Sequence, residues 1–139
     1  VSNAVASSRR FDVYKLVDAA VAGDAKRAMK ILNGLRGEGL EPVILMWALM
    51  RELRVLARLA DNVRRNIDLG AATNKERSWN NRQAMVRACI GRHQHTDLYR
   101  FLKATGRADA AAKGQAAGDP WQLGADIVLG LSLGGRRAA

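Results

Sequence analysis

One cysteine, Cys89, and two prolines are all that the 139 residues hold of either type. A lone thiol closes no internal bridge, so the fold cannot lean on disulfides, and such usage fits a reducing compartment, taken here as the cytoplasm. Aromatic residues are only 5% of the chain and β-branched residues are sparse, whereas Ala, Leu and Arg abound, so strands lack their usual material and helices do not. No apolar run approaches the roughly 20 residues of a membrane span, and positions 1–10 lack the basic region and apolar stretch of a secretory signal. Neither a membrane location nor that export route is expected. A glycine-rich phosphate loop, a His-Glu-x-x-His pair and paired cysteines are also missing, so nucleotide hydrolysis and zinc chemistry lack their parts. No cofactor and no metal are expected. His93 and His95 lie two apart, which points them to different sides of a helix, and they read as solvated residues at a helix end. Cys89 lies at core spacing with Met85 and Ala88, with no base in the pattern, and reads as a small buried hydrophobe. No acid, base and nucleophile converge, so the domain is not expected to be an enzyme.

What the chain does have is positive charge. Lys and Arg number 23 against 13 Asp and Glu, a formal net charge of +10. Between Ile44 and Arg107 there are 13 basic and 5 acidic residues, so most of the excess sits in the middle of the chain. A surface for a polyanion or an acidic protein face belongs there.

The periodicity predicts an all-α, single compact bundle of about six helices. The first spans about 11–22, with Val13, Leu16, Val17 and Ala20 on one face and a stop at Gly23. Asp24 then caps a second helix over 25–36, whose buried stripe is Ala28, Ile31, Leu32 and Leu35. Gly37-Glu38-Gly39 breaks it, and Pro42 suits the first turn of a third helix over about 42–65. There Leu45, Leu49, Leu53, Leu56, Ala60 and Val63 share one arc, which makes this helix the spine of the fold. Its first half is apolar nearly all round (Val43, Ile44, Leu45, Met46, Trp47) and is expected to be buried, while Arg51, Arg54, Arg58 and Arg65 line the side away from the arc. Positions 68–77 are polar and aperiodic and read as a loop. A fourth helix covers about 78–92. Thr96 is expected to cap a fifth over 97–113, with Arg100, Lys103 and Arg107 opposite an apolar face. Asp119-Pro120 starts a sixth that runs to Leu133, apolar all round and therefore either central or covered by another chain.

Glu52 falls inside the leucine arc, and a carboxylate there needs a partner, with Arg82 or Arg87 of another helix the expected cation. The stripes Arg51, Arg54, Arg58 and Arg100, Lys103, Arg107 offer salt-sensitive phosphate contacts if they share a surface. Arg77-Ser78-Trp79-Asn80-Asn81-Arg82 stands at a helix entrance, where an indole can stack on a base while Arg77, Asn80, Asn81 and Arg82 contact phosphates or base edges. The other reading of Trp79 is a plug for the core.

Phe11-Asp12-Val13-Tyr14-Lys15-Leu16-Val17-Asp18-Ala19, Gly23-Asp24-Ala25-Lys26-Arg27-Ala28, Ile31-Leu32, Leu35-Arg36, Gly39, Glu41-Pro42-Val43, Arg51-Glu52-Leu53, Trp79-Asn80-Asn81-Arg82, Lys113 and Trp121, taken in order, resemble the C-terminal region of the bacterial DNA polymerase III delta-subunit family. The resemblance covers about 9–134, the expected core of a single domain spanning 1–139. It implies a helical collar domain that assembles with the collars of other clamp-loader subunits, supports sliding-clamp loading in DNA replication and performs no chemistry itself. The family's upstream part, an ATPase-like module and the element that opens the sliding clamp, has no counterpart in these 139 residues, so no clamp binding is expected from them. The family further implies that Trp79 faces primer–template DNA. The family's second aromatic between Lys113 and Trp121 has no counterpart in Gly114-Gln115-Ala116-Ala117-Gly118-Asp119-Pro120. An autonomous basic nucleic-acid-binding domain is the alternative reading.

Overall fold

The computed structural model describes the backbone over residues 2–65 and 79–134, and side chains at Arg9, 11–65 and 82–134. Six helices follow one another: α1 (Ser2–Ala22), α2 (Ala25–Gly37), α3 (Pro42–Arg64), α4 (Trp79–Arg92), α5 (His95–Ala112) and α6 (Pro120–Leu133), and no strand occurs among the described residues.

The corners are made by the chemistry the sequence carries. Gly23 takes φ +84°, a conformation costly for any residue with a Cβ, and Asp24 accepts the Arg27 N–H at 3.1 Å to open α2. Asp119 accepts the Trp121 N–H at 3.0 Å, with Pro120 beginning α6. The boundaries of α2, α3, α4 and α6 fall within one residue of expectation. Helix α1 instead starts at Ser2, nine residues earlier than the apolar period shows, because its first turns bear no amphipathic pattern. Helix α5 begins at His95 with Gln94 as N-cap, so Thr96 lies inside the first turn rather than capping it. Asp97 takes the capping role from the third helical position, its Oδ2 accepting the Gln94 N–H at 3.0 Å and its Oδ1 accepting from Arg100 at 2.8 Å.

The spine is α3, about 35 Å long at 1.5 Å per residue. Leu45, Leu49, Leu53 and Leu56 are fully buried, and Ala60 nearly so, whereas Val63, at the far end of the arc, is exposed. Helix α5 packs along α3, and α1, α2, α3 and α5 all touch α6. Helix α6 is central on one side, where Ile127, Val128 and Leu131 are buried, while Leu133 at its end is exposed. Small residues let α6 in close. A Cβ at Gly124 would lie 2.9 Å from Met46 Cε, and one at Gly130 would lie 2.8 Å from the Phe101 ring.

Candidate protein interface on α1 and α3

On a helix, positions three and four apart share a face. In α3 the outward face is Ile44, Trp47, Arg51, Arg54 and Arg58, all exposed. The expectation that the first half of α3 is buried all round therefore fails at two of its largest side chains: Ile44 is 37% and Trp47 56% exposed. The reason is the depth of the bundle, which wraps Leu45, Met46, Ala48 and Leu49 and leaves the opposite side bare. Across from it, α1 presents Tyr14, 45% exposed, and Val13, Tyr14, Val43, Ile44, Trp47 and Ala48 line one apolar groove. Phe11, one turn before Tyr14, is also exposed, with the Lys15 ammonium 4.6 Å from its ring centre.

The groove ends at a cation. The Arg51 guanidinium lies 5.8 Å from the Trp47 ring centre, and Arg54 and Arg58 follow at one-turn intervals. Among the described residues no carboxylate stands within ion-pair distance of Arg51, Arg54, Arg58, Lys103 or Arg107. Arg100 is tied to Asp97 on its own helix at 2.8 Å. A second groove joins Arg64 of α3 to Tyr99, Arg100 and Lys103 of α5, so the end of one basic helix meets the start of the other.

The structure puts Arg82 to one use. Its Nη2 lies 2.9 Å from Glu52 Oε1 and 2.8 Å from Asp18 Oδ1, joining α4 to α3 and α1. Glu52 is thereby paired across helices, and Arg82 is shared between two carboxylates. Arg77 and the side chains of Trp79, Asn80 and Asn81 lie outside the described residues; Trp79 opens α4 one turn before Arg82.

Sequence reasoning missed the junction at the end of α4. Arg92 Nη2 donates to the carbonyls of Ala20 at 2.9 Å, Val21 at 2.8 Å and Leu131 at 3.1 Å, closing the C-terminal ends of α1 and α6 with one cation. The available signal was two helices ending in glycine without a basic residue in the last turn. His93, expected to be solvated, is buried: its Nε2 donates to the Leu131 carbonyl at 2.7 Å and its ring meets Phe101 edge-on. Burial, with Arg92 and Arg100 adding to it against the Leu131 hydrogen bond and Asp97, holds the His93 pKa below the ordinary imidazole value. Unfolded chains thus bind this proton more readily, and folding stability rises with pH through the window below about 6.5. Urea midpoints measured at about pH 7.5 and about pH 5.5 should fall on acidification, and His93→Gln should flatten that difference. Burial likewise pushes the Cys89 thiol up to about 11, in keeping with a core residue. No group of three His, Cys, Asp or Glu side chains able to hold a metal is found among the described residues, and no helix there is long and apolar enough to cross a membrane.

Residues 13–133, which take in the second half of α1 and every later helix, match the family model described as the processivity clamp loader gamma complex DNA pol III C-term. The chain belongs to this clamp-loader family. It is 35% identical over 121 residues to the DNA polymerase III subunit delta of Escherichia coli (strain K12), covering 87% of this chain and 35% of that protein. With the DNA polymerase III subunit delta of Haemophilus influenzae (strain ATCC 51907 / DSM 11121 / KW20 / Rd) the identity is 28% over 141 residues, 96% of this chain and 41% of that protein. The chain thus spans well under half the length of these two relatives. In this clamp-loader C-terminal domain the match begins at Val13 and so takes in the whole apolar groove and the arginine stripe.

Proposed function

We propose that this domain is the assembly module, or collar, of a clamp-loader delta subunit, joining the C-terminal domains of the other subunits so that they can load a sliding clamp during DNA replication. One observation carries the reading: a family match that runs through every helix from Val13 onward, on a bundle whose face at Tyr14, Ile44 and Trp47 is left bare. A tryptophan buries roughly 200 Å² when fully covered, so hiding the open half of Trp47 releases about 2–3 kcal/mol before association costs. The domain brings no catalytic set of its own; its contribution is to hold neighbours in register. Mixing it with the C-terminal domains of the other clamp-loader subunits should give a larger complex by sedimentation, and Trp47→Ala should weaken that association at least about tenfold. Persistent separation of all components would end the collar reading.

Contact with primer–template DNA is the second part of the proposal, through Arg77, Trp79, Asn80 and Asn81 at the entrance to α4, backed by the acid-free cations Lys103 and Arg107 of α5. Stacking on one aromatic contributes about 1–3 kcal/mol per base. In an anisotropy titration of labelled primer–template, Trp79→Ala should therefore weaken binding by about tenfold at every salt concentration, while the arginine contacts set the salt slope. An unchanged titration with Trp79→Ala would place that indole in the core instead.

A further inference from the structure

We propose that the outward face of α3 receives an acidic amphipathic helix from a partner, with apolar anchors over the Tyr14–Ile44–Trp47 groove and carboxylates over Arg51, Arg54 and Arg58. The inference rests on the assembly reading and names the chemistry of the segment that would dock.

Three observations carry it. The face is a single stripe with two chemistries in sequence: Ile44 and Trp47 in its first turns, then three arginines at one-turn spacing. The two halves meet where Arg51 stands over the Trp47 ring, so they form one surface rather than two. From Ile44 to Arg58 the only acid is Glu52, and it is turned away and paired with Arg82, so the stripe has no carboxylate of its own to neutralise it. A helix face that is apolar at one end, beside a groove, and cationic at the other is complementary to a helix that is apolar at one end and anionic at the other along the same face.

The competing occupants fit less well. A second copy of this chain brings another +10 charge and the same acid-free stripe, so pairing α3 with α3 sets arginines against arginines or against the apolar turn. Nucleic acid satisfies the arginines but leaves the exposed Ile44 and the half-buried Val43 facing phosphate or water.

The test uses three fluorescein-labelled synthetic helices of about 20 residues, long enough to span the stripe. All carry the same Leu and Phe anchors; the second half of the docking face bears Glu in one, Gln in the next and Lys in the last. Titrated with the 139-residue chain, the Glu helix should bind about tenfold more tightly than the Gln helix, the sum of three modest exposed ion pairs. The Lys helix should bind most weakly, and the Glu preference should shrink as salt is added. Trp47→Ala should weaken the Glu and Gln helices alike, whereas Arg54→Gln with Arg58→Gln should bring their ratio toward one and leave the thermal midpoint in place. Equal binding of the Glu and Gln helices overturns the proposal. So does displacement of the Glu helix by dT20 that depends on the same arginines while the Gln helix is unaffected, or a self-dimer abolished by Trp47→Ala. If the peptide order holds but no complex forms with the other subunits, the collar reading fails and the stripe stands. If the complex forms and the order is absent, the stripe proposal alone fails.

Discussion

Arg92→Ala is expected to lower the unfolding free energy by about 3 kcal/mol in urea denaturation, one of the two largest losses among the polar positions of this bundle. The last carbonyls of a helix have no partner within it, and α1 and α6 both end without a basic side chain in the final turn. One guanidinium nitrogen serves Ala20, Val21 and Leu131 together. That nitrogen has two hydrogens, so the three contacts amount to about two charge-assisted bonds, each contributing roughly 1.5–3 kcal/mol. Favourable interaction of the cation with two helix C-terminal ends adds to this. The Arg92 Nε is buried without an acceptor, which returns part of the gain and keeps the estimate at the lower end of the range. Two of the three carbonyls keep another donor, Ala20 the Gly23 N–H at 3.1 Å and Leu131 the His93 Nε2 at 2.7 Å, so Val21 is the one left bare and the loss stays at that lower end. Arg92→Lys keeps the charge but loses the planar fork, so it should recover less than half of the loss. A loss under about 1 kcal/mol for Arg92→Ala would mean that water satisfies these carbonyls as well as the guanidinium does.

The contrast between Arg92 and the leucine arc shows which features a linear pattern reveals. Leu45, Leu49, Leu53 and Leu56 announce their burial because a helix repeats every 3.6 residues and the spacing is local. Asp24, Pro42, Asp119 and Pro120 announce boundaries for the same reason: a cap acts within three residues. Arg92 acts over separations of 39 to 72 residues, and no local period encodes such a reach. The apolar face was half legible. Its residues, Ile44 and Trp47, stand out as apolar, but sequence assigns apolar turns to the core and points to α6 as the helix with a surplus. Only packing shows that α6 buries most of its apolar surface against four other helices while the first turns of α3 do not. Glu52 lay between these cases. Its place inside the arc demanded a cation from another helix, and Arg82 was one of two named, yet the second carboxylate, Asp18, was invisible because it lies on the exposed side of α1.

That triad gives the other large effect. Glu52→Ala should cost about 2–3 kcal/mol, because Arg82, mostly buried, keeps only the half-exposed Asp18 as its counter-ion. Arg82→Met should cost about as much, since it leaves Glu52, only 16% exposed at its side chain, without a cation. Joining the changes as Glu52→Leu with Arg82→Met should bring stability back to within about 1 kcal/mol of the parent, because removing both partners removes the desolvation cost with the attraction, and Asp18 can turn to water. Closed with Glu52→Leu as the single change at position 52, which should cost about as much as Glu52→Ala, the double-mutant cycle should return a coupling of about 3–5 kcal/mol between positions 52 and 82; additive losses would show that the pair does not interact in solution. The same cycle bears on DNA. Arg82 ties the first turns of α4 to α1 and α3, and Trp79 begins that helix one turn earlier. If Trp79 stacks on a base, the repaired double variant should regain its stability but not its full affinity for primer–template. An apolar pair restores packing without the two-carboxylate clamp that fixes where the entrance to α4 points. Equal recovery of stability and affinity would separate the clamp from the DNA contact and leave it a purely structural tie.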